Sequence, residues 1–164
     1  MKLSTIISHA GATVLEARQG LLRLLREKLP NVPEYVLNDL FYKNLKDVNQ
    51  TELIDIINDY TNYQWTLVDD FPVTYDIFNQ DTRKRLAARS GGKENPYQVP
   101  NDAQRHKTQR ELMASRGMPT EPLILLKDGD KYELLEGWHR TIQLLNVYPD
   151  GFKYPSVYIG QKTL

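Results

Sequence analysis

The segment Glu136-Gly137-Trp138-His139-Arg140 gathers a carboxylate, an imidazole and a guanidinium around one glycine. Glu133-Leu134-Leu135 ahead of it reads as a short strand, so Gly137 is placed to turn that strand into a helix whose first turn holds His139 and Arg140. The first-turn amides of a helix have no intrahelical acceptor and lie at the positive end of the helix dipole. An anion there meets donors as well as side-chain cations. Phosphate binding is the chemistry this predicts. Arg140 would neutralise charge, His139 would donate or shuttle a proton, and Glu136 would hold magnesium through water or accept a hydroxyl proton. Trp138, at helical spacing from Ile142 and Leu145, reads as a core anchor more than as a platform for a base.

Two further groups of cations could serve such a site. Arg105, His106, Lys107 and Arg110 fall on a helix expected from about Asp102 to Arg116, where His106 and Arg110 share a face. Arg83, Lys84, Arg85, Arg89 and Lys93 surround Ser90-Gly91-Gly92 and lead into Asn95-Pro96. That composition predicts a surface loop over 83–100, able to grip a nucleic-acid backbone or to fold over a nucleotide. Asp69, Asp70 and Asp76 are too scattered to define a metal site, and His9, His106 and His139 lack zinc-ligand spacing, so no metal ligands are assigned. No Walker-type loop, nucleophile elbow or dinucleotide fingerprint is present.

Composition limits what these residues can belong to. With 164 residues the chain can bury a real core, and 21 basic against 21 acidic residues give no bulk attraction to nucleic acid or membrane. Cysteine is absent, which excludes disulfides, thiolate nucleophiles and thiolate metal sites. The start Met1-Lys2-Leu3-Ser4-Thr5-Ile6-Ile7 lacks the apolar run of a signal peptide, and no stretch approaches membrane-spanning length. A cytoplasmic protein with no membrane partner is expected.

The elements that must position the site follow from periodicity. Leu15, Leu21, Leu22 and Leu25 mark a helix from about Gly11 to Lys28, ended by Pro30. Asn31-Val32-Pro33-Glu34 opens a second helix, with Leu37, Leu40 and Phe41 on its apolar face, that stops near Lys46. Asn49 with Glu52 resembles a capping box ahead of Leu53, Ile56, Ile57 and Tyr60. After Tyr60 the alternation of Tyr63, Trp65 and Leu67 predicts a strand that ends at the breaker Phe71-Pro72. Pro122–Leu126, the turn Asp128-Gly129 and Lys131–Leu135 form a hairpin. In the following helix Trp138, Ile142 and Leu145 share the core face, while His139, Gln143 and Asn146 point away from it. Tyr154–Ile159 is a closing strand.

The order of helix, Gly117, Glu121-Pro122-Leu123-Ile124-Leu125-Leu126, Asp-Gly turn, Tyr132-Glu133-Leu134-Leu135-Glu136-Gly137 and a helix opened by His139-Arg140 resembles the ParB/sulfiredoxin-like superfamily. Gly137-Trp138-His139-Arg140 is similar to the Gly-Cys-His-Arg signature of sulfiredoxins and stands where ParB proteins carry Gly-Glu-Arg-Arg. Asn95-Pro96-Tyr97-Gln98 is similar to the Asn-Pro-x-Gln stretch of ParB domains. The resemblance implies a fold that holds ATP or CTP with magnesium at the glycine turn. Its members include sulfinic acid reductases, CTP-switched DNA clamps, serine kinases and nucleases. Carried onto this chain, it places the nucleotide at Gly137, Trp138, His139, Arg140 and Thr141, with Arg105 and Arg110 as further contacts. Trp138 stands where sulfiredoxins have their cysteine, so the reductase chemistry is excluded. A ParB clamp is disfavoured because His139-Arg140 replaces paired arginines and no helix-turn-helix is expected in the short remainder. Glu136-Gly137-x-His139-Arg140 is closer to the kinase-like members.

The expectation is therefore an α+β protein with a small mixed sheet of ParB/sulfiredoxin-like type over 62–164, preceded by a helical subdomain of about three helices over 1–61. It would bind ATP or CTP with magnesium and carry out phosphate hydrolysis or phosphoryl transfer. The alternatives are a non-catalytic module that binds nucleic acid, or a protein through its N-terminal helices, and a metal-dependent nuclease.

Overall fold

The computed structural model describes residues 14–42, 50–91, 107–108, 111, 115, 117 and 119–163. Within it the chain divides into two compact units, Met1–Trp65 with Gly160–Leu164, and Thr66–Ile159. Among the described residues no helix is long and apolar enough to cross a membrane.

In the first unit, α1 (Val14–Lys28) is followed by α2 (Glu34–Val36), which widens into a π-helical turn over Leu37–Tyr42, and then by α3 (Gln50–Tyr60). The second expected helix thus begins after Pro33 as its proline predicts, but it changes winding at Leu37. Residues 43–49 lie outside the described residues. Leu25, Leu29, Val32, Val36 and Leu37 are buried together at the corner between α1 and α2. Arg26 forks onto both carboxylate oxygens of Glu34 across that corner, with Nε at 3.0 and 2.8 Å. The bond holds the exposed Glu34 carboxyl below the usual carboxylate range and raises the Arg26 guanidinium. Asn31 Nδ2 ties the end of α3 by donating to the carbonyls of Tyr60 and Tyr63 at 3.0 and 2.8 Å.

The second unit carries the larger part of a four-stranded mixed sheet in the order β1-β4-β2-β3, where β1 is Tyr63–Val73, β2 Leu123–Asp128, β3 Lys131–Glu136 and β4 Phe152–Lys162. The strand beginning at Tyr63 does not stop at Phe71-Pro72 as predicted. It runs to Val73, because β1 lies at the sheet edge, where a missing proline N–H need not break a ladder. Asp70, just before that point, has a left-handed backbone at φ 50°. β2 is central, so Leu123, Ile124, Leu125 and Leu126 are all buried. It pairs antiparallel with β3 through Leu125↔Leu134 and Asp128↔Lys131, with the predicted Asp-Gly turn between them.

Arg83–Gly91 departs most from the sequence reading. These residues are not a loop. They belong to α4 (Gln80–Gly91). Asn79 starts the helix: its Oδ1 accepts from the Thr82 N–H at 2.9 Å and its carbonyl from the Arg83 N–H at 3.0 Å. The buried face of α4 consists of Thr82, Leu86 and Arg89, a stripe with one aliphatic residue, which is why hydrophobic periodicity missed it. Residues 92–100 lie outside the described residues. Of the helix expected over 102–116, Lys107, Thr108, Glu111 and Ser115 are described and helical.

The segment leading into α4 also covers the free edge of β3. Asn79 N–H donates to the Tyr132 carbonyl at 2.8 Å, and the Leu134 N–H donates to Thr82 Oγ1 at 3.3 Å. Beyond β3, α5 (Trp138–Val147) packs against α4 and the sheet core, with Trp138, Ile142 and Leu144 buried among Phe78, Leu86, Leu123 and Val157. Because this helix is covered on more than one side, Gln143 is buried and Leu145 only half-buried, the reverse of the expected faces.

Candidate anion site at the start of the last helix

Gly137 makes the strand-to-helix turn at φ 98°, a left-handed conformation that side chains resist. A Cβ there would overlap the Leu123 side chain, so the turn is also a point of close approach between β2 and α5. The Thr141 N–H donates to the Gly137 carbonyl at 2.9 Å, which opens the α5 ladder at Gly137. Glu136 is half-buried and its carboxylate accepts the Gly137 N–H at 3.2 Å, so this acid lies at the positive end of the helix.

The side chains of the motif divide. Arg140, 8% exposed, turns into the fold. Its Nη1 donates to the Glu121 carbonyl and to Tyr154 Oη at 3.3 Å, its Nη2 to the Pro122 carbonyl at 3.4 Å, and the Glu121 carboxylate lies 3.6 Å away. Tyr154 donates in turn to the Glu121 carbonyl at 2.6 Å. Burial pushes the Tyr154 hydroxyl up, and the adjacent guanidinium opposes that shift. Arg140, expected to neutralise phosphate, is thus turned to protein acceptors. Its donors are engaged by the peptide carbonyls entering β2, and its charge by Glu121. Thr141 is fully buried, and its Oγ1 has no hydrogen-bond partner among the described residues.

His139 faces the other way, towards α4. Its Nε2 lies 3.2 Å from Arg89 Nη2. Arg89 is 7% exposed, and both Arg85 and Arg89 lie over the Trp138 indole, with guanidinium carbons 4.3 and 5.5 Å from its ring centroid. Trp138 is buried in the core, as the sequence suggested, and two cations also lie over its ring. Arg85 lies near an acidic group as well. Burial raises the Glu133 carboxyl, Asp128 and Asp81 raise it further, and Arg85 pulls it back.

The structure thus joins two sets of residues that the sequence kept apart. Arg85 and Arg89, expected on a nucleic-acid-binding loop, meet Trp138 and His139 of the glycine turn. The signal for this was the spacing of Thr82, Leu86 and Arg89 behind the cap Asn79, with Arg85 one turn before Arg89. Arg83 is half-buried and Lys84 exposed on the same helix. Arg105, Arg110 and Lys93 lie outside the described residues. No group of three or more metal-binding side chains occurs among the described residues. Compared with protein-family models, with curated proteins and with solved structures, the chain matches none.

Proposed function

We propose that this protein binds the phosphates of a nucleotide at the start of α5, in a fold of ParB/sulfiredoxin-like type. One observation carries the reading: Arg85 and Arg89 of α4 converge with His139 over Trp138, beside the positive end of α5. A cluster of cations at a helix start is a setting in which an oxyanion gains charge and directed donors together. The hairpin β2–β3, the left-handed Gly137 and the helix that follows have the element order on which the resemblance rests.

In this reading Arg89 and Arg85 grip phosphate oxygens and His139 donates to one of them. Arg140 holds the turn in place from behind. Magnesium, which commonly takes one or two carboxylates together with nucleotide phosphates, would be held through Glu136. ATP and CTP are the nucleotides to test, and phosphate hydrolysis or kinase-like transfer is the reaction class. Calorimetry with each nucleotide and magnesium tests the reading. Binding should occur and should be lost in Arg89→Met, a variant that keeps an apolar stem over Trp138. Nucleotide binding unchanged in Arg89→Met, or absent in the wild type, would overturn it.

A further inference from the structure

We infer that anion capture at this site is coupled to the uptake of a proton by His139; the inference rests on the phosphate-site reading above. A guanidinium has N–H donors, no acceptor, and is never deprotonated in a protein. The 3.2 Å contact of Arg89 Nη2 with His139 Nε2 is therefore a hydrogen bond in which Nε2 accepts. In this arrangement the imidazole is neutral and carries its proton on Nδ1. A proton placed on Nε2 would set two donors and two positive charges against each other beside a guanidinium that is 7% exposed, where water screens poorly.

The other ionisable groups on the elements packed here are Asp81, Arg83, Lys84 and Arg85 of α4, Lys131, Tyr132, Glu133 and Glu136 of β3, and Arg140 of α5 itself. Of these, Arg85 lies over the same indole ring as Arg89, and the Glu136 carboxylate accepts the Gly137 N–H. A doubly charged oxyanion between α4 and the first turn of α5 reverses the balance. Arg89 then donates to the anion, Nε2 takes a proton from solvent, and His139 becomes a second donor to the same ligand. By linkage, affinity rises as the pH falls through the range where imidazoles titrate, by at most about tenfold per pH unit for one proton. The ligand class this favours is a dianionic phosphoryl group, as at the end of a nucleotide chain, over a singly charged phosphodiester.

The test uses sodium sulfate, a dianion with no titratable proton of its own near neutrality. Its binding heat is measured near pH 7 in two buffers that differ in ionisation enthalpy. The heat should differ between the buffers by the amount for a proton taken up, and the difference should vanish in His139→Gln. Sulfate that binds the wild type with the same heat in both buffers, or a buffer dependence that survives in His139→Gln, overturns the proton coupling and leaves the anion site standing. No sulfate binding at any pH overturns both. Nitrogen chemical shifts of the imidazole in the wild type give a readout that does not depend on the variant folding. Without sulfate they should show the Nδ1-protonated neutral ring, and saturating sulfate should move them towards the doubly protonated ring. Shifts of a neutral ring that sulfate leaves unchanged would overturn the coupling.

Discussion

Arg140 and Tyr154 share one acceptor, the carbonyl oxygen of Glu121. Through it the first turn of α5 and strand β4 both hold the residue pair that leads into β2. Arg140→Ala should therefore act on stability. It leaves partly buried carbonyls and the Tyr154 hydroxyl short of donors, and the loss should be about 2–3 kcal/mol in urea unfolding. Arg140→Lys should recover little of it, since an ammonium cannot reach several acceptors as a planar fork does. A variant that keeps the wild-type midpoint but loses nucleotide would restore Arg140 to the ligand.

In the proposed function Arg89 has a double role, and two substitutions separate its parts. Arg89→Ala removes both the charge and the cover over Trp138, so anion binding should fall and the unfolding midpoint should drop by an amount corresponding to about 1–2 kcal/mol. Arg89→Met should lose binding with a smaller drop. Equal losses of stability in the two variants would show that the stem contributes nothing.

Thr141 offers a test of opposite sign. Its hydroxyl is buried without a hydrogen-bond partner among the described residues, so Thr141→Val, of similar shape, should raise stability by up to about 1 kcal/mol. Nucleotide affinity should stay unchanged. Weaker binding in that variant would instead make the hydroxyl a ligand group, as the resemblance implied.

Gly137→Ala should be among the most damaging single changes. The left-handed backbone and the overlap with Leu123 act together, for a loss of about 2–4 kcal/mol by calorimetric unfolding. A midpoint within a degree of the wild type would mean that the turn can relax.

Glu133 gives the pH dependence its sign. Its carboxyl is raised above its ordinary value of 4.5 by burial first, then by Asp128 and Asp81. A raised acid contributes stability that is fully present below its unfolded value and is lost as the pH rises through its folded value. Glu133→Gln, which has no charge to bury, should be more stable than the wild type at neutral pH, and the gain should disappear on acidification below about pH 4, under the ordinary carboxylate value. A gain that persists unchanged at low pH would point to packing rather than ionisation.

The hairpin, the glycine turn and the helix after it were legible because each has a local cause: an Asp-Gly turn, a left-handed glycine and a 3.6-residue apolar stripe. The helix over Gln80–Gly91 was not, because its buried face is Thr82, Leu86 and Arg89, and a buried arginine looks like a solvated one in sequence. The same blindness split the candidate site. Which way Arg140 and His139 turn is decided by partners far away in sequence, the Glu121 carbonyl and Arg89, and neighbouring residues do not encode it. The run of β1 through Pro72 depends in the same way on the strand's place at the edge of the sheet.

That edge position also bears on how molecules of this protein meet one another. Among the described residues the four-stranded sheet ends in two rims, and a bare rim is a template onto which a strand of another chain can add. One rim, on β3, is closed from within by Asn79 and Thr82. On the other, the left-handed φ of Asp70 and the imino nitrogen of Pro72 make the row of donors irregular within a few residues, and Asp69 adds a charge beside them. The fold thus guards both borders against runaway strand-to-strand assembly, and the guards are the same irregularities that made Phe71-Pro72 look like an ending.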